Sequence, residues 1–297
     1  MSAKIIDGKV LATKVRNEVS KAVLELTKKN ITPGLATVIV GNDAASSVYV
    51  KNKGKFAKEV GIKSFQYSLS EFVTENELLK LINDLNLNKD IDGILVQLPL
   101  PKKINSEIIL NAVEPSKDVD GFNILNAGNI YLNRVGVIPC TPLGCLIMLR
   151  SITKSLKGMH AVIIGRSNIV GKPMAQLLLN EDCTVTTVHS KSNNIQKIVK
   201  EADIIVAAVG IPNLVKESWV KKGAIVIDVG INRVNYEDKV KLVGDVDFKE
   251  VECLASFITP VPGGVGPMTI ACLLMNTVFQ CARKNNLALP SNLIDLF

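Results

Sequence analysis

The sequence predicts an α/β protein of two domains, an N-terminal three-layer α/β domain and a C-terminal Rossmann-like domain. The chain has 297 residues, which is more than one hydrophobic core usually serves. Short apolar runs rich in β-branched residues alternate with longer segments of helical periodicity, and this alternation indicates parallel strands joined by helices. The alternation is interrupted by a proline-rich turn near residue 140 and then starts again. We therefore expect two α/β layers in succession.

The first half contains three predicted strands separated by helices. A helical repeat of apolar residues opens the chain, and buried strands follow because their apolar runs are short and uninterrupted. Prolines close the third strand. The predicted helices are 8–29, 45–60 and 74–88, and the predicted strands are 34–41, 63–70 and 91–101.

The second half repeats the pattern after a turn and an apolar helix at 138–152. Its predicted strands are 160–165, 184–189, 203–210 and 224–230. The last helix, 265–284, is apolar nearly all round, so we expect it to be buried and to pack back on the first half. The predicted domains are therefore 1–140 plus 268–297, and 141–267.

Composition is that of a globular protein, with 47% hydrophobic and 21% charged residues. We find no apolar run that looks long enough to span a bilayer, and no apolar signal-peptide core at the N-terminus. The expected location is the cytoplasm, without a membrane partner. The six cysteines lack Cys-x-x-Cys spacing and the chain has two histidines, so we expect free thiols and no metal site.

The formal charge of +7 leaves two classes of partner open. One is nucleic acid, but the lysines are dispersed and aromatic residues make up only 4% of the chain, which does not favour base stacking. The other is an anionic small substrate or a phosphorylated cofactor. We expect no nucleic acid partner.

One lysine of the predicted helix 45–60 lies on the wrong face. Each helical residue turns about 100°, which places Lys53 inside the apolar arc, one turn after Tyr49. The opposite side carries ordinary solvated lysines: Lys51, Lys55 and Lys58. The wheel alone leaves two interpretations, a lysine that extends along the helix rim to solvent and a functional ammonium directed inward.

The segment "VIIGRSNIVGKPMAQLL" matches neither common phosphate motif. Five residues, not four, separate Gly165 from Gly171, and Pro173 stands where a P-loop has Ser or Thr. The usual Rossmann pattern also fails, because only these two glycines are present. A strand, a glycine turn and a helix start nevertheless suit an anion, through free N–H groups and the helix dipole. An empty Rossmann-like scaffold remains the alternative.

The residues after the next strand indicate which dinucleotide would bind. About 20 residues on, where an NAD-binding chain places a carboxylate on the ribose, this chain has Ser190. A carboxylate would repel a 2′-phosphate, whereas Arg166 and Ser190 would accept one. The pattern favours NADP over NAD.

Three further segments are polar or conformationally restricted where packing alone does not require it. Gln97 ends an apolar strand, at the edge where α/β sheets bind ligands. Asp118 and Asp120 precede Gly121; we expect Asp118 to form an Asx turn and Asp120 to accept parallel N–H bonds from a planar ring. The loop 259–269 combines three prolines and three glycines, and we expect a cis proline in it. Taken singly, each has a structural explanation.

Together, these segments resemble one family. The motifs "YVKNK", "GILVQLPLP", "KDVDGF", "PCTPLG", "GRSNIVGKPMA", "ADIIVAAVG", "IDVGIN", "GDVDF" and "TPVPGGVGPMT" occur in order over nearly the whole chain. They closely resemble the bifunctional methylenetetrahydrofolate dehydrogenase/methenyltetrahydrofolate cyclohydrolase family, and the last motif is the most specific.

The resemblance implies an NADP-dependent enzyme of one-carbon metabolism, serving purine biosynthesis, that binds folate in a cleft between its domains and forms a homodimer. It implies oxidation of 5,10-methylenetetrahydrofolate and hydrolysis of the methenyl product to 10-formyltetrahydrofolate. No separate formate–tetrahydrofolate ligase domain is expected. The implied catalytic residues are Lys53, Tyr49 and Gln97, and the implied folate-binding residues are Asp120, Pro262, Gly263 and Gly264. The implied NADP-binding residues are Gly165, Arg166, Ser167, Gly171, Ser190 and Ile231.

Two rival functions belong to other classes. An NADP-linked dehydrogenase of a shikimate-like acid also pairs an α/β substrate domain with a Rossmann half and a catalytic lysine, but "PVPGGVGPMT" and "KDVDGF" do not suit it. A basic nucleic-acid-binding protein would show clustered lysines and strongly salt-dependent binding. The sequence has no such cluster.

Overall fold

The computed structural model describes residues 2–41, 44–236, 239–289 and 293, and the side chains of 44–50, 236 and 239 are outside this description. The described chain divides into two compact units. The N-terminal unit comprises Thr13–Cys140 and the described residues from Ile270 onward. The Rossmann unit comprises Thr141–Thr269 and the described residues up to Ala12.

Strands and helices alternate along most of the chain. The strands are β1 (Lys4–Ile5), β2 (Gly34–Val40), β3 (Lys63–Leu69), β4 (Gly93–Val96), β5 (His160–Ile164), β6 (Thr184–Val188), β7 (Ile204–Ala207), β8 (Ile225–Asp228), β9 (Asn232–Tyr236), β10 (Lys239–Val243) and β11 (Phe257–Ile258). The α-helices are α1 (Gly8–Thr27), α2 (Ala44–Glu59), α3 (Glu75–Leu87), α4 (Ser106–Ala112), α5 (Ile124–Tyr131), α6 (Cys140–Arg150), α7 (Gly171–Asn180), α8 (Ile195–Val199), α9 (Phe248–Val251) and α10 (Val265–Lys284).

The N-terminal unit contains a parallel sheet of three strands in the order β3-β2-β4. Its central strand, β2, is buried along its whole length. A strand covered on both faces has no need of polar alternation, so the run "GLATVIV" is apolar almost throughout. The carboxyl ends of β2 and β4 lie side by side, with Val38 paired to Val96.

Helices cover both faces of this sheet. On one face Leu78, Ile82 and Leu85 of α3 pack in a core with alternate residues of β2. Toward the other face, a Cβ at Gly93 of β4 would lie 3.2 Å from the Thr277 hydroxyl of α10, so strand and helix are in close approach. This arrangement confirms the predicted three-layer domain.

The ends of α3 show how sequence sets its length. Thr74 and Glu77 form a capping box, in which the Thr74 N–H donates to Glu77 Oε2 (2.8 Å) and the Glu77 N–H donates to the Thr74 hydroxyl (3.3 Å). At the other end, the buried ammonium of Lys117 donates to the carbonyls of Leu85 (3.0 Å) and Asn88 (2.7 Å). These bonds satisfy backbone groups that a helix leaves unpaired at its termini.

The Rossmann unit contains a six-stranded parallel sheet in the order β1-β11-β8-β7-β5-β6. The chain runs from β5 to β6 on one side and then returns past β5 to β7 on the other. Ile164 at the end of β5 is paired with both Val188 of β6 and Ala207 of β7. A reversal of this kind, at the carboxyl ends of the strands, is where open α/β sheets bind ligands.

The first residues of the chain belong to this second sheet. Lys4 of β1 pairs with Phe257 of β11, and the Lys4 N–H donates to the Ser256 carbonyl at 2.9 Å. The predicted division had placed these residues in the first domain. The difference arises because a two-residue strand has no periodicity that reveals its partner. The other domain boundaries, and the cleft, remain predictions.

The helix α10 corrects one expectation about apolar runs. Contrary to the sequence analysis, this 20-residue helix is long and apolar enough to cross a membrane by length and composition, since its most apolar 18 residues have a mean hydropathy of 1.4. However, 83% of those residues are buried within the protein, as expected of a core helix. The antiparallel hairpin of β9 and β10 was also not predicted.

Replacing Ile82 by Ala should destabilise the N-terminal unit. The side chain is fully buried between α3 and the sheet, and removing its methyl and methylene groups leaves a cavity that costs about 2–5 kcal/mol. The measurement is urea unfolding followed by circular dichroism. The matched control is Leu87→Ala on the same helix, where the side chain is 74% exposed and a change within about 0.5 kcal/mol is expected. Equal shifts of the two midpoints would contradict the assigned packing.

Candidate active site

The buried lysine of α2 lies at the carboxyl edge of the N-terminal sheet. Lys53 is 4% exposed, whereas Lys51, Lys55 and Lys58 of the same helix are exposed. The Lys53 ammonium donates to Gln97 Oε1 at 3.0 Å. Gln97 directly follows β4, and its own amide donates to the Leu98 carbonyl at 2.6 Å. The amide of Gln97 is thus oriented by the backbone and presents its oxygen to Lys53.

Burial sets the electrostatics of this site. It lowers the pKa of Lys53, and attraction to the Asp120 carboxylate, with a smaller effect of Cys140, acts in the opposite direction. Burial also raises the pKa of Asp120 to about 6, against the attraction of Lys53. Each group loses hydration that its charged form prefers, and each partly restores the charge of the other. Burial thus brings the pKa values of the two groups closer together than in water.

Asp118 builds the turn that carries Asp120. Its carboxylate accepts hydrogen bonds from the N–H groups of Gly121 (2.9 Å) and Asn123 (2.8 Å) and from the Asn126 side-chain amide (2.9 Å). This is the Asx-type role predicted for Asp118. Asp120, carried by this turn, interacts electrostatically with Lys53 and accepts a hydrogen bond from Cys140.

Two residues of this site were missed by the sequence analysis. The Cys140 thiol has one hydrogen and two acceptors within reach, the Val119 carbonyl at 3.2 Å and the Asp120 carboxylate, whereas the sequence analysis predicted only a free thiol. The Asn276 amide of α10 donates to the carbonyls of Val119 and Ile138, each at 2.9 Å. Asn276 and Gln280 are the two side-chain amides of this mostly apolar helix, and that pattern was the signal for Asn276.

Some predicted site residues are not tested by these contacts. Tyr49 lies on α2, but its side chain is outside the described residues. Pro262, Gly263 and Gly264 lie in the loop between β11 and α10 of the Rossmann unit. The Val261–Pro262 peptide is cis, as expected for this loop, and Leu98–Pro99 is a second cis peptide that was not predicted. Contact of these residues with folate remains a prediction.

The turn after β5 is shaped for a close backbone approach. Gly165 has φ of +118°, and a Cβ there would lie 2.3 Å from the Ala208 carbonyl oxygen. Only glycine fits this position. One expectation was wrong: the first N–H groups of α7 are not free. Ser167 Oγ accepts from the N–H groups of Val170 and Gly171, each at 3.2 Å, and the Ser167 carbonyl accepts from Lys172.

Other donors in this turn are available to an anion. Among the described residues, the N–H groups of Ser167, Asn168 and Ile169 have no hydrogen-bond acceptor, and the exposed Arg166 guanidinium has no partner. Ser190 is exposed two residues after β6. Because Ile164 and Val188 are paired, Arg166 and Ser190 leave neighbouring strand ends at the same level. These donors fit the phosphates of a dinucleotide.

Ile231 lies on the same edge of the Rossmann sheet, beyond the end of β8. It is 57% exposed, so its side chain is accessible to a ligand at this edge. The predicted contact of Ile231 with the cofactor is compatible with this position and remains a prediction.

The whole chain is similar to one protein family. The catalytic-domain model of the tetrahydrofolate dehydrogenase/cyclohydrolase family matches residues 6–120, and its NAD(P)-binding-domain model matches residues 139–285. The chain belongs to the tetrahydrofolate dehydrogenase/cyclohydrolase family. Among curated relatives, the bifunctional protein FolD 1/3 of Ruegeria pomeroyi is 54% identical over 294 residues, covering 99% of both chains.

Solved structures of this family have the same fold. The bifunctional FolD dehydrogenase/cyclohydrolase of Campylobacter jejuni is 49% identical with a TM-score of 0.92, covering 96% of this chain and 100% of that one. The FolD structure of Trypanosoma brucei, complexed with NADP cofactor and an inhibitor, is 39% identical with a TM-score of 0.92, covering 96% and 99%. These matches confirm the predicted family, its two activities and the NADP cofactor.

The shikimate-type rival is similar in fold alone. The shikimate 5-dehydrogenase of Thermus thermophilus is 13% identical with a TM-score of 0.51, covering 88% of this chain and 98% of that one. This likeness explains why the two-domain pattern by itself left that rival open. The folate-family motifs decide between them.

Replacing Asp120 by Asn should shift the pH profile of the cyclohydrolase to lower pH. The carboxylate raises the pKa of Lys53, so its removal lets the amine lose its proton at lower pH. The measurement is kcat at saturating methenyltetrahydrofolate across the neutral range, from loss of methenyl absorbance and with enzyme-free blanks. Asp84→Asn, an exposed carboxylate of the same unit, is the control. An unshifted profile, or a shift to higher pH, would contradict the coupling.

Proposed function

We propose that Lys53 is the catalytic acid–base residue of a bifunctional enzyme, held by Gln97 and electrostatically paired with Asp120. The enzyme oxidises 5,10-methylenetetrahydrofolate with NADP⁺ and hydrolyses the methenyl product to 10-formyltetrahydrofolate. The observation that carries this assignment is the burial of the Lys53 ammonium at a strand end, bonded to the Gln97 amide oxygen at 3.0 Å. Neither snorkelling along the rim nor simple packing would place it there.

The dehydrogenase step depends on positioning. NADP⁺, when bound, supplies the hydride acceptor, and the folate nitrogen lone pair supports the cation that forms on the carbon. The protein therefore has to orient the folate rather than transfer a proton. Asp120 is suited to this, because a carboxylate can accept two parallel N–H bonds from the pterin edge. In the same proposal Tyr49 stacks on the folate, and Pro262, Gly263 and Gly264 lie along it.

The cyclohydrolase step requires a proton acceptor. Water adds to the methenyl carbon, and its proton must leave before the bond from that carbon to the ring nitrogen breaks. Lys53 takes this proton at Nζ and returns it to the released nitrogen, and the second proton of the added water leaves the hydroxyl for solvent as the formyl C=O bond forms. Its lowered pKa increases the fraction of neutral amine near neutral pH, and the cationic methenyl substrate favours that form further. Gln97 Oε1 accepts one N–H of Lys53 and so restricts the orientations that the lone pair can take.

The cofactor side of the proposal concerns the edge of the Rossmann sheet. Arg166 and Ser190 bind the 2′-phosphate, since their strand ends are adjacent and no carboxylate follows β6. Gly165, Ser167 and Gly171 shape the turn that faces the diphosphate, and Ile231 covers an apolar part of the cofactor. We also propose a cytoplasmic homodimer without nucleic acid or membrane partners, on the family resemblance.

Replacing Lys53 by Met should abolish the cyclohydrolase activity while the protein remains folded. Loss of a general base costs about 10²-fold or more, and Met matches the length and apolar stem of Lys. The measurement is hydrolysis of added methenyltetrahydrofolate, with circular dichroism for folding. Lys58→Met, on the exposed face of the same helix, is the matched control and should retain full activity. A cyclohydrolase rate retained by the Lys53 variant would refute the assignment.

Replacing Arg166 by Ala should raise the KM for NADP⁺ far more than the KM for NAD⁺. A hydrogen bond to a charged phosphate contributes about 1.5–3 kcal/mol, so a rise of about 10-fold or more is expected for NADP⁺. Initial rates with each cofactor provide the measurement. Lys157→Ala, an exposed cation before the amino end of β5, is the control. Equal effects of Arg166→Ala on both cofactors would count against the 2′-phosphate contact.

A further inference from the structure

Two buried carboxylates of the Rossmann unit have no role in the chemistry described so far. Asp228, the last residue of β8, is 3% exposed, and Asp245, shortly after β10, is fully buried. Burying a carboxylate is costly unless hydrogen bonds compensate for the lost water. Both groups should therefore have several donors, and the identity of those donors shows what the carboxylates hold in place.

Asp245 joins two segments that leave neighbouring strands. Its Oδ2 accepts hydrogen bonds from the backbone N–H groups of Val209 (2.6 Å) and Gly210 (2.9 Å), in the loop after β7. Its Oδ1 accepts from the Asn232 side-chain amide at 2.8 Å, at the start of β9. Three donors converge on both oxygens, and only a carboxylate offers acceptors on both sides without rearrangement of a partner.

Asp228 fixes the backbone that carries Asp245. Its Oδ1 accepts from the N–H groups of Gly230 (3.0 Å) and Asp245 (2.9 Å), and its Oδ2 accepts from the Val246 N–H (3.0 Å). The approach is so close that a Cβ at Gly244 would lie 1.7 Å from Asp228 Oδ2. Burial, with a contribution from Asp245, raises the pKa of Asp228 to about 7. Asp228 therefore fixes the backbone of Asp245, and Asp245 in turn fixes the loop after β7 and the start of β9.

The supported segments lie at the edge where a dinucleotide crosses the sheet. Ala207 and Asp228 are paired, so the loop after β7 and the residues after β8 leave the sheet side by side. Arg166 and Ser190 follow β5 and β6, on the other side of the strand reversal. A dinucleotide bound across such a reversal places its two halves on opposite sides of it. With the 2′-phosphate at β5 and β6, the nicotinamide half lies over the ends of β7 and β8.

We propose that Asp245 is a positioning residue for the dehydrogenase, which holds the Val209–Gly210 amides and Asn232 so that these two segments form a rigid platform for the nicotinamide half of NADP. Ile231 lies between two anchored groups, the Gly230 N–H on Asp228 and the Asn232 amide on Asp245. The inference rests on the proposed location of NADP. Asp245 itself is fully buried and acts through the platform.

The Asp245–Asn232 contact allows a reciprocal exchange as a test. Asn232→Asp alone places a second carboxylate against Asp245 and breaks the contact by repulsion. Asp245→Ala alone leaves the Val209 and Gly210 amides and Asn232 without their acceptor. The double variant Asp245→Asn/Asn232→Asp restores one donor and one acceptor at the same place, and the amide introduced at position 245 can still offer its oxygen to the backbone N–H groups.

The readouts separate positioning from general damage. We expect Asp245→Ala and Asn232→Asp each to raise the KM for NADP⁺ by about 10-fold or more, as for loss of charge-assisted hydrogen bonds. The double variant should return to within about 3-fold of the original value. Hydrolysis of added methenyltetrahydrofolate, which needs no NADP⁺, should be unchanged in all three. Fluorescence of Trp219, the only tryptophan and packed on the Rossmann core, checks that this unit is folded.

Asp247→Ala provides a matched control from the same segment. Asp247 caps α9 and pairs with Lys216 at 2.7 Å, so its loss is structural, and the KM for NADP⁺ should not change. An unchanged KM in Asp245→Ala, or failure of the double variant to recover relative to Asn232→Asp, would overturn the inference. Absence of NADP⁺-dependent oxidation in the unaltered protein would instead overturn the proposed function.

Discussion

Burial of one ammonium group is the constraint on which the rest of the N-terminal unit depends. An ammonium group buried in an apolar environment without polar partners either loses its proton or destabilises the folded state. The protein supplies the Gln97 oxygen and the Asp120 carboxylate, and it leaves the pKa of Lys53 lowered rather than restored. The compromise suits a group that has to take up and release a proton.

Those partners are useful only if their backbone is fixed, and the last helix provides much of that support. Asn276 binds the carbonyls of Val119 and Ile138, and Gln280 donates to the Pro115 carbonyl at 2.9 Å. Asp118 completes the turn from within. These hydrogen bonds fix the loop that carries Asp120, so the Asp120 carboxylate is not needed to stabilise the loop and can interact with Lys53. This task explains why Asn276 and Gln280, two amides, lie in an otherwise apolar core helix.

In the Rossmann unit, too, buried polar side chains fix the backbone at the ends of strands, and there the side chains are the carboxylates of Asp228 and Asp245. Its carboxylates hold backbone N–H groups, whereas Asn276 holds backbone carbonyls. In both units, residues that do not touch the reacting atoms determine where exposed loops leave the ends of parallel strands. Loops in such positions carry function because a rigid sheet places them. The strength of buried, charge-assisted hydrogen bonds makes a few residues sufficient for this.

The sequence by itself determined the elements whose signal is local. Apolar periodicity located the three strands of the N-terminal sheet, four of the six strands of the Rossmann sheet and the longer helices. It also identified Lys53 as a cation on an apolar face. Gln97 and the turn at Gly165 were predictable because the carboxyl end of a parallel strand is a recurrent binding position. Tertiary structure alone decided the partners. Nothing near Cys140 or Asp245 in the chain distinguishes a supporting residue from a packed one. The amide of Asn276 stands out in an apolar helix, but the sequence does not reveal its partner, Val119, which lies 157 residues away. The pairing of β1 with β11 has the same cause, since a two-residue strand obtains its place only from the sheet that accepts it.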